Sequence, residues 1–340
     1  MNVPSLRRTA QRLWANLLLR SGCLWWVKRR MRRSGSVVVL TFHRVLDDER
    51  ARATASLPGI IVRRGTFERL AAYIERKYKA VSAGSATPGK ASRRLQVVLT
   101  FDDAWRDNFP VAFPIALAHE MRLTIFACPG LTGAITPFWP EQVAAALQAA
   151  GRRNETESVI EDLKHRTRED REQWINEMMR KPAASDDNTD STLSWEEITA
   201  MHHAGVTFGS HTMTHQILTT VPADTARREV RESKTVLEQK LGRKCELFAY
   251  PNGDWSPAVR TMLAEAGYRL AFTTEHGVWT DRSDRLAIPR INVCEENLIG
   301  LTGAFSPAMF EYTTFWKAWR AAKAGDAVRP QVAPQRAAAA

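Results

Sequence analysis

Two clusters in this 340-residue chain have the residue types and spacing for hydrolytic metal chemistry. Asp102 and Asp103 stand together directly after the apolar run Gln96–Phe101. Neighbouring carboxylates repel, and leaving both ionised is costly unless a cation is close. Adjacent side chains on an extended backbone point in different directions, so one carboxylate can hold a cation while the other faces a substrate. His211 and His215 follow another apolar run, Val206–Gly209. Imidazoles four residues apart reach one metal if the segment turns helical after the strand. No Glu follows His211, which separates this pair from the zinc-protease pattern HExxH. Ser210 and Thr212 are placed to cap or orient the pair. Taken singly, each cluster also has an ordinary reading, the acids as a loop or helix cap and the histidines as simple polar groups.

The elements that must position these clusters are strands. Val37–His43, Gln96–Phe101, Leu123–Ala127, Val206–Gly209, Leu247–Tyr250, Leu270–Thr273 and Ala287–Ile291 are short apolar runs separated by helical stretches. Continuous apolar strands alternating with helices predict a parallel sheet covered by helices, and seven suffice for a barrel. The C-terminal strand ends of such a barrel form its active-site face. Residues 1–35 read as a basic amphipathic arm and 36–315 as the barrel domain. Within it, 137–195 form a polar helical insertion, with a flexible patch at Ser185–Asn188. The Pro- and Ala-rich tail 325–340 is expected to be disordered.

Thr100-Phe101-Asp102-Asp103, His211-Thr212-Met213-Thr214-His215 and Phe248-Ala249-Tyr250-Pro251-Asn252-Gly253 together resemble the signature motifs of the polysaccharide deacetylase family, the NodB homology domain. Leu193–Gly205 resembles that family's lead-in to the second motif, and the resemblance spans about residues 36–295. It implies an α/β fold, a distorted (β/α) barrel of about seven parallel strands. It also implies one divalent metal ion on Asp103, His211 and His215. Zinc is the expected ion, and cobalt, nickel and iron suit such a donor set as well. Asp102 matches the family's catalytic base, and the backbone N–H of Tyr250 its oxyanion donor. The implied activity removes the N-acetyl group from an N-acetylhexosamine in a polysaccharide or lipid-linked saccharide, in cell-envelope or exopolysaccharide synthesis. Related members remove formyl groups or act on O-acetyl esters.

Two departures from the family pattern matter. Phe248-Ala249 stands where many members carry an Arg, so Arg290 either supplies that guanidinium or makes a structural salt bridge. The family's late Leu-x-His is missing, since no histidine follows His276. His43, at the end of the first strand, resembles the early histidine of a permuted branch and is the expected general acid. His276, placed in a loop beside Gly277, is the fallback. The missing motif also keeps open a catalytically silent saccharide-binding protein that retains its metal.

The formal charge is +11, and residues 1–33 carry +9 of it with no acidic residue, leaving a nearly balanced body of +2. A nucleic-acid enzyme carries its basic patch on the folded domain, so nucleic acid is not expected as a partner. In the arm, Leu13, Trp14, Leu17, Leu18, Leu24 and Trp25 fall near one helical face. Arg20 interrupts the apolar run, and neither a membrane span nor a cleavable signal is legible. The arm therefore reads either as an interfacial helix at an anionic membrane or as a helix packed on the barrel. The protein is expected in the cytoplasm, and on the first reading peripherally at the inner face of the cytoplasmic membrane. Cys23, Cys128, Cys245 and Cys294 are scattered and read as free thiols. Trp105, Trp139, Trp255 and Trp279 are candidate sugar-stacking residues, while His119, His165, His202 and His203 read as surface groups on helices.

Overall fold

A computed structural model of the chain describes residues 6–134, 138–164, 166–178 and 190–324. Ten strands occur among them: β1 (Val37–Phe42), β2 (Arg44–Leu46), β3 (Ile61–Arg63), β4 (Lys79–Ala80), β5 (Gln96–Phe101), β6 (Leu123–Ala127), β7 (Thr207–Ser210), β8 (Leu247–Ala249), β9 (Leu270–His276) and β10 (Ile288–Asn292). Each apolar run of the sequence corresponds to one barrel strand. β5, β6, β7, β8, β9 and β10 follow one another around the sheet, and β1 closes it by pairing with both β5 and β10. All these pairings are parallel, giving a closed seven-stranded (β/α) barrel. β4 extends the sheet beside the start of β5, and β2 and β3 form a separate two-stranded ribbon.

Strand alternation splits the core in two. Val37, Val39, Val98, Phe126, Ala249, Phe272 and Ile288 pack with one another inside the barrel. Their neighbours Val38, Leu40, Phe42, Val97, Leu99 and Phe101 join the larger cluster beneath the helices. Both sets are buried, which is why β1 and β5 read as unbroken apolar runs. Helix Ala223–Leu241 shows the covering layer, with Ala226, Val230, Ser233 and Leu237 buried. Helix Trp195–His203 starts at a capping box formed by Ser194 and Glu197.

The insertion is helical among its described residues. Trp139–Ala149, Thr156–Lys164 and Arg168–Met178 enclose a small core of Val143, Leu147, Ile160, Leu163 and Ile175. Ser185–Asn188, His165 and the tail 325–340 lie outside the described residues.

The arm forms two helices, α1 (Leu6–Arg20) and α2 (Cys23–Arg33), broken at Gly22 with φ 80°. The break separates the six apolar residues expected on one face. Leu18 and Leu24 turn inward, whereas Leu13, Trp14, Leu17 and Trp25 stay exposed. Ala15 joins a cluster with Ala308 and Met309, and Val27 and Met31 join the main core. Lys28 Nζ donates to the buried Glu311 carboxylate, which also accepts from Tyr73 Oη (2.6 Å) and Tyr78 Oη (2.8 Å). The arm is thus packed on the body and continues it. No helix among the described residues is long and apolar enough to cross a membrane.

Candidate active site

The inward positions of three adjacent strands change from apolar to polar toward their C-terminal ends. On β1 the series is Val37, Val39, Thr41 and then His43; on β5 it is Val98, Thr100 and then Asp102; on β10 it is Ile288, Arg290 and Asn292. Thr41 lies level with Thr100 on one side and Asn292 on the other, so one layer of the barrel leads directly into the next. His43, Asp102, Arg290 and Asn292 line a cleft of ≈ 370 Å³ at this end. Asp103, Trp139, Glu141, His211, His215 and Asn252 share the same walls.

Asp102 is buried, and Arg290 grips it with both arms of the guanidinium. Nη1 donates to Oδ1 at 2.8 Å and Nη2 to Oδ2 at 2.7 Å. Arg290 Nε donates to the Thr273 carbonyl (2.8 Å) and Nη1 also to Thr100 Oγ1 (3.2 Å), so the guanidinium is fixed from β9 and β5. Burial opposes charge on Asp102, but Arg290, together with the His211 and His43 imidazoles nearby, outweighs it and holds the carboxyl below its ordinary range. Asp102 is therefore a carboxylate at neutral pH.

The next residue leaves the strand abruptly. Asp103 (φ 71°) and Ala104 (φ 51°) both sit in the left-handed region, which turns the Asp103 carboxylate across the barrel mouth. Trp105 Nε1 donates to Asp103 Oδ2 at 3.2 Å. Its indole is fully buried under the Arg44 guanidinium, 4.4 Å from the ring centre. Arg44 is held in turn by Asp107 and Asp190.

His211 and His215 are not presented by a helix. Residues 211–216 are an irregular loop, with Thr212 at φ 65° and His215 at φ 61°. The loop holds because the Glu229 carboxylate accepts the N–H groups of Met213 and Thr214, each at 2.8 Å, and the Thr214 hydroxyl at 2.7 Å. That carboxylate replaces the helical hydrogen bonds expected from the spacing. His211 Nδ1 lies 2.8 Å from the Ala249 carbonyl, which fixes the tautomer with the proton on Nδ1 and turns Nε2 outward. Five of the six described non-glycine residues with positive φ lie at this site, and such strain persists where the surroundings dictate it.

Three donor atoms converge here. Asp103 Oδ1 lies 3.3 Å from His215 Nε2 and 3.5 Å from His211 Nε2. It is buried and has no hydrogen-bond partner among the described residues. Burial pushes His211 down to about 4, so its Nε2 presents a lone pair at neutral pH. Burial also opposes charge on Asp103, but the His215 imidazole beside it keeps the carboxyl below its usual range. A buried carboxylate oxygen without a donor, facing a neutral imidazole nitrogen, fits a cation. Among the described residues this is the one Asp/His/His group close enough to share an ion. Cys128 donates its thiol to the His211 carbonyl (3.0 Å), and burial pushes its pKa far up, so it stays a thiol.

Several expectations are corrected. The Tyr250 N–H donates to the Phe272 carbonyl at 3.0 Å, and its hydroxyl to Leu286 O at 2.7 Å. Its amide is spent in the β8–β9 ladder and cannot meet an oxyanion. Asn252 is the residue of this motif on the cleft wall, with φ 59°, and Gly253 follows at φ 80°, where a Cβ would overlap Thr274. His276 ends strand β9 rather than sitting in a loop, is exposed, and lies outside the cleft lining. Of the four tryptophans, only Trp139 reaches the cleft. Trp105 supports Asp103, Trp255 is buried with its Nε1 on Glu275, and Trp279 is buried beside the start of β1.

Three residues at the site escaped the sequence reading. Glu229 and Arg44 carry no local motif. Glu141, from the insertion, places a carboxyl on the cleft wall, where burial, then the charge of Asp103, pushes its pKa up to about 8. The His43 ring has its Nδ1 shut off from solvent without a partner among the described residues, and its carbonyl accepts from Asn108 Nδ2 (2.9 Å).

The sequence profile of the polysaccharide deacetylase family matches residues 89–271, more than half of the chain. Over 215 residues the chain is 20% identical to YxkH of Bacillus subtilis (strain 168), which bears a provisional polysaccharide deacetylase name; the match spans 63% of this chain and 56% of that relative's length. Among solved structures, Streptococcus pyogenes deacetylase PplD in complex with acetate aligns with a TM-score of 0.57 at 21% identity, over 82% of this chain and 98% of its own. IcaB from Ammonifex degensii aligns at 0.53 and 19% identity, over 77% and 93%.

Proposed function

Because the chain belongs to the polysaccharide deacetylase family, we propose that it is a metal-dependent hydrolase that removes the N-acetyl group from an N-acetylhexosamine in a polysaccharide or lipid-linked saccharide. The observation that carries this reading is the pairing of two units in one cleft, the Asp103/His211/His215 donor group and the Arg290-clamped Asp102.

Asp103, His211 and His215 would hold one divalent ion, zinc or else cobalt, nickel or iron. Such an ion supplies Lewis-acid polarisation of the scissile carbonyl and acidifies water. The remaining work falls to this chain's own groups. Asp102, kept ionised by Arg290, accepts a proton from the attacking water as the C–O bond forms. Asn252, on the cleft wall in a tight turn at φ 59°, donates its backbone N–H to the oxyanion. His43 donates a proton to the amine as the C–N bond breaks, leaving acetate and a free amino sugar. Trp139 offers an aromatic face to a sugar ring.

The test uses an N-acetylglucosamine oligomer and the purified chain, with acetate release followed before and after zinc addition. The wild type is expected to carry one metal per chain and to release acetate. His215→Ala is expected to lose both. Equal metal content in the two proteins would remove the metal assignment. Full metal content without acetate release on amide or ester would favour a saccharide-binding role.

A further inference from the structure

We infer that α1, α2 and the C-terminal helix Lys317–Ala324 form a docking surface for a bilayer rich in anionic lipid. Nine large hydrophobic side chains are exposed among the described residues, and seven lie on α1 and α2: Leu6, Leu13, Trp14, Leu17, Leu19, Trp25 and Trp26. Such a concentration on one element marks an interaction surface, because single exposed apolar residues are otherwise scattered. The same two helices bury Ala15, Leu18, Leu24, Val27 and Met31 against the body. The exposed set is therefore the second face of helices whose first face is already used.

The charge carried by α1 and α2 themselves has one sign. Arg7, Arg20, Arg30 and Arg33 are exposed, and the Arg29 guanidinium lies 5.3 Å from the ring centre of Trp25. Trp25 stands between two grooves, one lined by Arg29, Arg30 and Arg33, the other by Lys28, Arg32 and Arg94. Trp26 packs edge-on against Trp319 at 5.7 Å, which joins the C-terminal helix with Arg320 to the same surface. No acidic residue occurs in α1 or α2. Arg8 pairs with Glu296 at 2.8 Å, near the start of α1.

Leucines and tryptophans interleaved with arginines on one docked helical pair match what an anionic interface offers: acyl chains and headgroup phosphates at adjacent depths. A nucleic acid offers phosphates but no partner for Leu6, Leu13 and Leu17. A second copy of this chain would set one arginine-rich face against its twin in a two-fold dimer, and like charges oppose that. The lipid surface is the occupant that satisfies both halves of the patch.

The full chain is mixed with vesicles of equal phosphatidylglycerol and phosphatidylcholine, and with phosphatidylcholine vesicles alone, and sedimented at low and high salt. Binding is expected to the anionic vesicles, to fall as salt rises, and to be at least ~10-fold weaker on the neutral ones. Trp14→Ser/Leu17→Ser/Trp25→Ser and, separately, Arg20→Glu/Arg30→Glu/Arg33→Glu should each weaken it ~10-fold or more, with thermal unfolding unchanged because all six side chains are exposed. Absence of vesicle binding at low salt overturns the inference, as does equal binding by wild type and both variants. A dimer seen by sedimentation velocity and lost in the first variant, without vesicle binding, would reassign the patch to self-association. Duplex DNA binding that survives the first variant and is lost in the second, again without vesicle binding, would reassign it to nucleic acid.

Discussion

The loop bearing the two histidines depends on one carboxylate, and this dependence can be measured. Glu229 is 9% exposed, and its oxygens accept two backbone N–H groups and one hydroxyl from Met213 and Thr214. Glu229→Ala takes the acceptor from those two half-buried N–H groups, and the about 1–3 kcal/mol of a fully buried unsatisfied group is the ceiling for each. The total, at most about 2–6 kcal/mol, falls on a loop conformation that already contains two left-handed residues. Thr212 and His215 should then relax, and the ion must re-form the loop to bind. Every ~1.4 kcal/mol spent on re-forming it weakens apparent affinity tenfold. An affinity loss of ~10–100-fold is also usual when a group supporting a ligand is removed. Glu229→Gln keeps one acceptor oxygen for the two N–H groups and loses only the charge assistance, so its loss should be smaller than that of Ala. The assay is competition for zinc against a chromophoric chelator, using protein prepared metal-free. Glu232→Ala, an exposed position on the same helix, is the control. Unchanged zinc affinity in Glu229→Ala, or a loss matched by Glu232→Ala, would refute the reasoning.

Three more substitutions separate the roles within the cleft. Asp102→Asn preserves shape and removes the basic oxygen, so metal content should stay at wild type while acetate release falls ~10²–10⁴-fold; near-normal turnover would remove Asp102 as the base. Arg290→Met strands a buried carboxylate, and denaturant unfolding of the metal-free protein should show a loss of about 3–5 kcal/mol; a loss below ~1 kcal/mol would mean that Asp102 is already neutralised by other groups. His43→Ala should abolish amide hydrolysis yet spare an activated aryl ester, whose leaving group departs without a proton. If His43→Ala leaves amide hydrolysis intact, the Glu141 carboxyl, on the same cleft wall, becomes the donor to test.

The sequence displayed those parts of the fold that rest on local pattern. Seven strands were legible because burial on both faces makes a parallel barrel strand a continuous apolar run, as in Val37–Phe42 and Gln96–Phe101. The paired acids and paired histidines were legible because each pair is contiguous. Features set by distant partners were not. The His211–His215 spacing suggested a helix, but the Glu229 carboxylate, from the following helix, imposes a loop that no local propensity contains. The Tyr250 amide was misassigned because the direction of a backbone N–H follows from the β8–β9 register, which leaves no trace in residue type. Trp105 read as a loop aromatic because Arg44, which covers it, comes from another part of the chain. In the arm, the turn at Gly22 sets Leu24 and Trp25 on a separate helix, and within α1 the body packs on the face of Ala15 and Leu18, which leaves Leu13, Trp14 and Leu17 outside.

Closure of the barrel explains how residues so far apart in the chain come to act on one carboxylate. Without the β1–β5 pairing the sheet would be open there, leaving Asp102 near one edge and His43 and Arg290 at the other. Here β1 lies between β5 and β10, so Asp102 follows a strand whose neighbour ends in His43, while Arg290 reaches it from the strand beyond. A guanidinium on β10 thus meets the carboxylate from across the interior and is anchored by Thr273 and Thr100 on the way. An arginine in the Phe248-Ala249 segment would have to enter from β8, where buried Phe248 packs edge-on against Tyr250 and Tyr268 and the Ala249 carbonyl fixes His211. The aromatic cluster beneath β8 and the carbonyl that sets the histidine tautomer leave that strand to serve the metal ligands. The base is served from β10.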